Sequence, residues 1–298
     1  MVGWKIARLG IYYDTGETDL DLITPENHIK FGEPVAKPQA LFQIKQIASS
    51  KDLDGVLTLR LRDEPIDRLQ NGVTRLYASD TWEFWLEESG SYVFLAPHQS
   101  PQCKMVVDPN FTAGELIGDF NVEGGEGFFP VWNLEIRLFS AWLASFWDVI
   151  LHASGVKVDG KGYAFLGDSG AGKSTLAAAL ALDPSVTVLG EDQVILRFLE
   201  GRFWIFGAPW HLDPTMCSPE GVPLEKLFFL DRNQEPGVHE VSPLNGVTRL
   251  LQTAFIPYYR PEWLPGILER FERLAETVPF FLLSYQLGTD PWQSIQKA

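Results

Sequence analysis

Apolar and polar residues alternate through the first part of the chain. Val56-Leu57-Thr58-Leu59-Arg60-Leu61-Arg62 carries an apolar side chain at nearly every second position, the period of a half-buried strand. Thr81 to Glu87 and Ser91 to Leu95 repeat the pattern on either side of Glu88-Ser89-Gly90, which predicts a hairpin. Lys104 to Val107 is a further strand, stopped by Asp108-Pro109-Asn110. The period then changes. Gly124-Gly125-Glu126-Gly127 punctuates the chain, and Pro130 opens a run in which Trp132, Ile136, Phe139, Trp142, Leu143, Phe146 and Trp147 recur at helical spacing. The glycines are read as a boundary between a β-rich domain over 1–125 and a second domain over 126–298. The aromatic stripe is read as core.

The second domain mixes both periods. Val149-Ile150-Leu151-His152-Ala153 is a short apolar run ending on a histidine. Val156-Lys157-Val158 and Tyr163 to Leu166 flank Asp159-Gly160-Lys161-Gly162 as a hairpin. Lys173 to Leu182 is an Ala/Leu-rich helix ended by Asp183-Pro184. A strand follows at Val186 to Leu189, then a hairpin of Val194 to Phe198 with Phe203 to Phe206, and a strand from Pro223 to Leu230. Ser242-Pro243 starts a helix to about Ala254, with serine as N-cap and proline at the first helical position. Leu264 to Glu276 is another helix, and Phe280 to Tyr285 a last strand.

Composition narrows the partners. Hydrophobic residues are 45% of 298, with 10 Trp and 20 Phe, which is ample for packed cores. The net charge of -15 argues against a nucleic-acid partner, which would need a basic face. Cys103 and Cys217 are too few for a disulfide framework and are read as reduced thiols. The N-terminus lacks the apolar core of a signal peptide. The most apolar stretch, Val131 to Ile150, is interrupted by Glu135, Arg137 and Asp148 and fails as a membrane span. A cytoplasmic protein with no membrane partner is the expectation. His28 and His98 are isolated and read as structural or surface residues.

The chemistry concentrates in one segment. Gly167-Asp168-Ser169-Gly170-Ala171-Gly172-Lys173-Ser174-Thr175 fits G-x-x-x-x-G-K-[ST], the Walker A phosphate loop, with an apolar strand before it and a helix after. Glycines let backbone N–H groups turn inward around phosphate oxygens, and the helix N-terminus adds positive dipole. Lys173 is expected to reach the terminal phosphates and Ser174 to ligate magnesium. Glu191-Asp192 ends the strand after that helix, where a magnesium nucleotide needs a carboxylate. One carboxylate holds the ion, and a second can accept the proton of an attacking hydroxyl. Adjacent strand residues face opposite ways, so both reach the site only through a bend, which Gly190 allows. His152, before the hairpin that feeds the loop, is a candidate to orient the carboxylate or ligate metal; a hydrogen-bonded core histidine is the alternative. Trp210, His211 and Asp213 follow a strand ending in Gly207 and are candidates for an acceptor pocket, or an ordinary turn.

His152-Ala153-Ser154, the hairpin, the loop and Glu191-Asp192, in that order and spacing, resemble the catalytic domain of HPr kinase/phosphorylase. More distantly they resemble the nucleotide-binding core of phosphoenolpyruvate carboxykinase. HPr-kinase-like proteins of unassigned substrate also share the look of Gly207-Ala208-Pro209-Trp210-His211 and the Pro223 to Leu230 strand. The resemblance covers roughly residues 130 to 285. It implies an α/β fold, a P-loop kinase domain with a mixed sheet and flanking helices behind a β-rich N-terminal domain. It also implies ATP and magnesium as cofactors, Asp192 with Glu191 as metal ligand and base, and His152 beside them. In the carboxykinases the matching histidine helps bind a second metal. The resembling kinases often form homo-oligomers. Three departures stand out: Thr175 replaces a glutamate, Glu191 replaces an aspartate, and Trp210 to Leu224 contains no arginine where those kinases carry an arginine-bearing loop. The expected activity is transfer of the γ-phosphoryl group to a hydroxyl of a protein, peptide or small molecule, and the departures count against HPr as that acceptor. The alternative is a nucleotide-binding regulatory module or ATPase without kinase activity.

Overall fold

A computed structural model of the chain describes residues 2–14, 53–66, 72–97, 102–118, 129–211, 213–232, 235–285 and 292–297. His28, His98 and the glycine run at 124–127 lie outside them. The chain divides into two compact units, Met1–Trp142 and Leu143–Ala298. The fold class is mixed α/β, with two large sheets and few helices.

The first unit holds β1 (Val2–Ile6), β2 (Leu9–Asp14), β3 (Gly55–Asp63), β4 (Val73–Ala78), β5 (Glu83–Glu87), β6 (Tyr92–Ala96), β7 (Cys103–Val107) and β8 (Ala113–Gly118). They form one sheet in the order β1-β2-β3-β8-β7-β6-β5-β4. β3 runs parallel to both β2 and β8, and the remaining pairs are antiparallel. The predicted alternation in β3 is real: Leu57, Leu59 and Leu61 are buried between exposed or half-buried neighbours. Helix α1 (Phe129–Ala144) follows, and its Phe139 and Trp142 are buried. Tyr13 donates to Glu135 at 2.8 Å in this core, which satisfies a buried carboxylate. The helical stripe stops earlier than its sequence pattern. Phe146 and Trp147 lie past the helix end, and Trp147 has φ 64 and is 47% exposed.

The second unit contains β9 (Val149–Leu151), β10 (Ala153–Val158), β11 (Lys161–Leu166), α2 (Lys173–Leu180), β12 (Val186–Gly190), β13 (Val194–Leu199), β14 (Arg202–Gly207), β15 (Gly221–Leu230), β16 (Gly237–Glu240), α3 (Pro243–Thr253), α4 (Leu264–Thr277), β17 (Phe280–Ser284) and α5 (Trp292–Lys297). Its nine strands run β12-β10-β11-β15-β14-β13-β9, with β17 on β15 and β16 on β17. On the side away from β17, β15 serves two partners in turn along its length. Gly221 to Pro223 pair with β14, and Leu224 to Phe229 pair with β11.

β11, β15 and β17 are parallel to one another and buried on both faces, so their sequences read as apolar runs. The alternation is hidden inside those runs. Ala164, Leu166, Leu227, Phe229, Phe280 and Leu282 face a cluster that includes Leu250 of α3 and Ile267, Phe271 and Leu274 of α4. Phe165, Phe228, Leu230, Phe281 and Leu283 face Leu176, Ala177 and Leu180 of α2. Helices thus cover the sheet on both sides. Ser242 sits at the N-cap of α3 with extended backbone, as expected, but its side chain makes no cap hydrogen bond. No described helix is long and apolar enough to cross a membrane. Both cysteines are free and buried.

Candidate functional site

Strand direction assembles the site. β11, β12, β15 and β17 all end at the same edge of the sheet. β10, antiparallel to β11 and β12, begins there. In parallel sheets the crevice beyond the carboxyl ends of the strands is where ligands bind. Residues just outside these five ends are His152, the 167–172 loop, Glu191-Asp192, Arg232 and Tyr285.

The loop takes its shape from two glycines. Gly170 and Gly172 have φ 80 and 102, values that a side chain resists. A Cβ on Gly170 would meet nothing, whereas one on Gly172 would stand 2.5 Å from an Arg232 nitrogen and 3.0 Å from the Tyr285 hydroxyl. Gly167 packs so closely that a Cβ would be 2.9 Å from Ala171. α2 starts at Lys173, and Leu176 N donates to Gly172 O at 2.8 Å. The Lys173 side chain folds back over the loop, with Nζ donating to the carbonyls of Gly167 at 2.8 Å and Asp168 at 3.2 Å. It is 5% exposed, and burial pulls its pKa below the ordinary lysine value, against the fields of Asp192 and Asp168. An anion in the cleft would relieve that burial cost.

The hairpin places the histidine. Ala153 pairs with Leu166, so His152 lies across from Gly167. Its backbone N–H donates to Thr253 O at the end of α3 at 2.8 Å. On the other side of β10, Gly155 pairs with Gly190, and Ser154 Oγ donates to Glu191 O at 2.7 Å. That register brings Asp192 beside His152, with Nδ1 and Oδ1 3.2 Å apart. The bend anticipated after Gly190 is present. Asp192 lines the cleft and Glu191 does not. The Glu191 carboxyl is pushed up by burial and by the neighbouring charges of Asp213 and Asp192.

The cleft itself has a volume of about 370 Å³. It is lined by His152, Ser169, Gly170, Gly172, Lys173, Ser174, Thr175, Asp192 and Arg232. Gly167, Asp168 and Ala171 shape the loop from behind. Trp210 and His211 are each 2% exposed and line no part of this cleft. Asp213 is exposed, accepts from Thr215 N at 2.8 Å and Thr215 Oγ at 2.6 Å, and caps a short 3-10 turn. These three residues therefore form no shared open pocket. Burial is the reason for the first two, and capping for the third. His211 instead supports the bend: a Cβ on Gly190 would meet its ring at 2.8 Å.

Arg232 is the cleft residue that sequence reasoning missed. A lone arginine after a strand belongs to no motif; the signal was positional, a cation at the end of a strand parallel to the one feeding the loop. Among the described residues no group of three or more His, Cys, Asp or Glu could hold a metal ion by itself. Ser174 and Asp192 offer two oxygen donors at the cleft.

No family model matches the chain, and no curated protein matches it. Among solved structures, the HPr(Ser) kinase/phosphatase from Coxiella burnetii is similar at 15% identity, over 50% of this chain and 86% of that one, with a TM-score of 0.28.

Proposed function

We propose that the protein is a magnesium-dependent phosphotransferase that binds a nucleoside triphosphate at the 167–175 loop and moves its terminal phosphoryl group to a hydroxyl. The observation that carries this reading is one cleft lined by the loop, by Lys173 and by the His152–Asp192 pair at 3.2 Å. A loop alone makes a nucleotide binder. A carboxylate oriented by a histidine beside it adds a base.

The residues divide the work. Loop N–H groups and the start of α2 receive phosphate oxygens. Lys173 exchanges its two loop carbonyls for phosphate, which replaces neutral partners with charged ones. Ser174 and Asp192 would hold magnesium, which favours one or two protein oxygens plus phosphates over an all-protein cage. When bound, the ion neutralises charge on the phosphate oxygens. His152, with Nδ1 3.2 Å from Asp192 Oδ1, stands beside the carboxylate and orients it. Asp192 takes the proton of the acceptor hydroxyl as its oxygen bonds to the terminal phosphorus. The bond from that phosphorus to the bridging oxygen breaks, and the electron pair leaves with the diphosphate. Glu191 does not line the cleft and takes no direct part in this step. The likeness of the His152, loop and Glu191-Asp192 spacing to HPr kinase/phosphorylase agrees with this reading.

Calorimetry with ATP and magnesium should give a complex that Lys173→Ala weakens about a hundredfold or more, while adenosine binding changes little. Mass spectrometry of candidate acceptors should show added phosphate with wild type and at least a hundredfold less with Asp192→Asn. Equal loss of ATP and adenosine binding in Lys173→Ala would overturn the loop assignment. Nucleotide binding with Asp192-independent transfer would overturn the base.

A further inference from the structure

Arg232 and Tyr285 occupy one side of the phosphate loop, and the His152–Asp192 pair occupies the other. The strand order fixes this. β10 and β12 carry His152 and Asp192 on one flank of β11, while β15 and β17 carry Arg232 and Tyr285 on the opposite flank. The two strands beside β11 stand roughly 10 Å apart across it. A phosphate chain lying on the loop therefore has one end toward the histidine–aspartate pair and the other toward the arginine.

Both residues on the second flank are tied to the loop backbone. Arg232 Nε donates to Ala171 O at 3.0 Å, and the Tyr285 hydroxyl donates to Gly172 O at 3.0 Å. The strands beneath are joined by Asp231 N to Leu283 O at 3.1 Å. Burial raises the Tyr285 pKa, so its hydroxyl remains a donor at neutral pH. The guanidinium is thus held in place, exposed, and lines the cleft. It is a fixed cation in a chain of net charge -15.

We infer that Arg232 is a binding residue for the nucleoside-side phosphates of the ligand. Its guanidinium contacts the phosphates that remain with the nucleoside, while the transferred group faces Asp192. The inference rests on the nucleotide reading above. Its consequence is that Arg232 binds substrate and diphosphate product equally, in contrast to Lys173.

The test is equilibrium binding of magnesium with ADP and with the β,γ-imido analogue of ATP to the full chain. Arg232→Gln, whose amide can still donate to Ala171 O, should weaken both ligands alike, by about ten- to a hundredfold. Arg232→Lys should recover part of that loss for both. Tyr285→Phe, which removes a loop bond but no charge, should stay within about threefold of wild type. Unchanged ADP binding in Arg232→Gln overturns the inference. So does a loss confined to the imido analogue, which would turn Arg232 toward the transferred group. An equal loss in Tyr285→Phe overturns it as well, because loop support alone would then account for the effect. Wild type that binds neither ligand overturns the nucleotide reading itself, a different result from each of these.

Discussion

His211 lies under the Gly190 bend, 2% exposed, and burial lowers its pKa from 6.5 to about 4. Its folded value is below its unfolded one. Above pH 6.5 the ring is neutral in both states, and its contribution is complete. Between pH 6.5 and about 4 the unfolded chain takes up a proton that the folded chain refuses, so stability falls as pH falls through that window. The full loss is about 3 kcal/mol. Urea unfolding across the window should show this slope in wild type and a flatter one in His211→Gln. Identical slopes would mean that His211 is not the group responsible. The same residue illustrates what a sequence conceals. A histidine after Pro209-Trp210 reads equally as pocket or turn, because its burial depends on Gly190, which is remote in sequence.

The leucines in and just beyond α2 are of two kinds. Leu176 and Leu180 are buried against Phe165 and Phe228, while Leu182, beyond the helix end, is 85% exposed. Leu176→Ala should cost about 2–5 kcal/mol, and Leu182→Ala should stay within about 0.5 kcal/mol, both by chemical denaturation. A large cost at Leu182 would contradict the helix end at Leu180. Among elements, those with their own period or punctuation were legible: β3, the β5–β6 and β10–β11 hairpins, α2, α3, α4 and β17. Others carried no such mark. β4 pairs with β5 alone among the described strands and has no buried residue, so its sequence shows no core-facing alternation. The turn between β1 and β2 uses Ala7 at φ 50 and Arg8 at φ 66, with no glycine to announce it. β16 is only four residues long. α1 was read past its end because Phe146 and Trp147 continue the aromatic rhythm after the backbone has left the helix.

At the scale of the whole molecule, charge and site oppose each other. A net charge of -15 repels a polyphosphate at long range, while Lys173 and Arg232 attract it at the cleft. Screening length falls from about 30 Å at 0.01 M salt to about 8 Å at 0.15 M. The repulsion acts over distance and is screened first. Stopped-flow association of a fluorescent ATP analogue should therefore quicken as salt rises across that range. Slower association would show that the local cations dominate the approach. The motif residues of the site were legible because a phosphate loop is a contiguous string. Arg232 and Tyr285 were not, because only the parallel pairing of β11, β15 and β17 brings them to it.

The β10–β11 hairpin joins His152 to Gly167 through six residue pairs and closes at Asp159-Gly160, where a Cβ on Gly160 meets nothing. The ladder spans roughly 20 Å. It works as a ruler with its zero at the cleft and its spare length at the far end. Residues added or removed at that turn leave the spacing of histidine and loop untouched. The distal turn is thus the place where such a chain can drift in length between lineages, or accept a grafted peptide, without disturbing its chemistry.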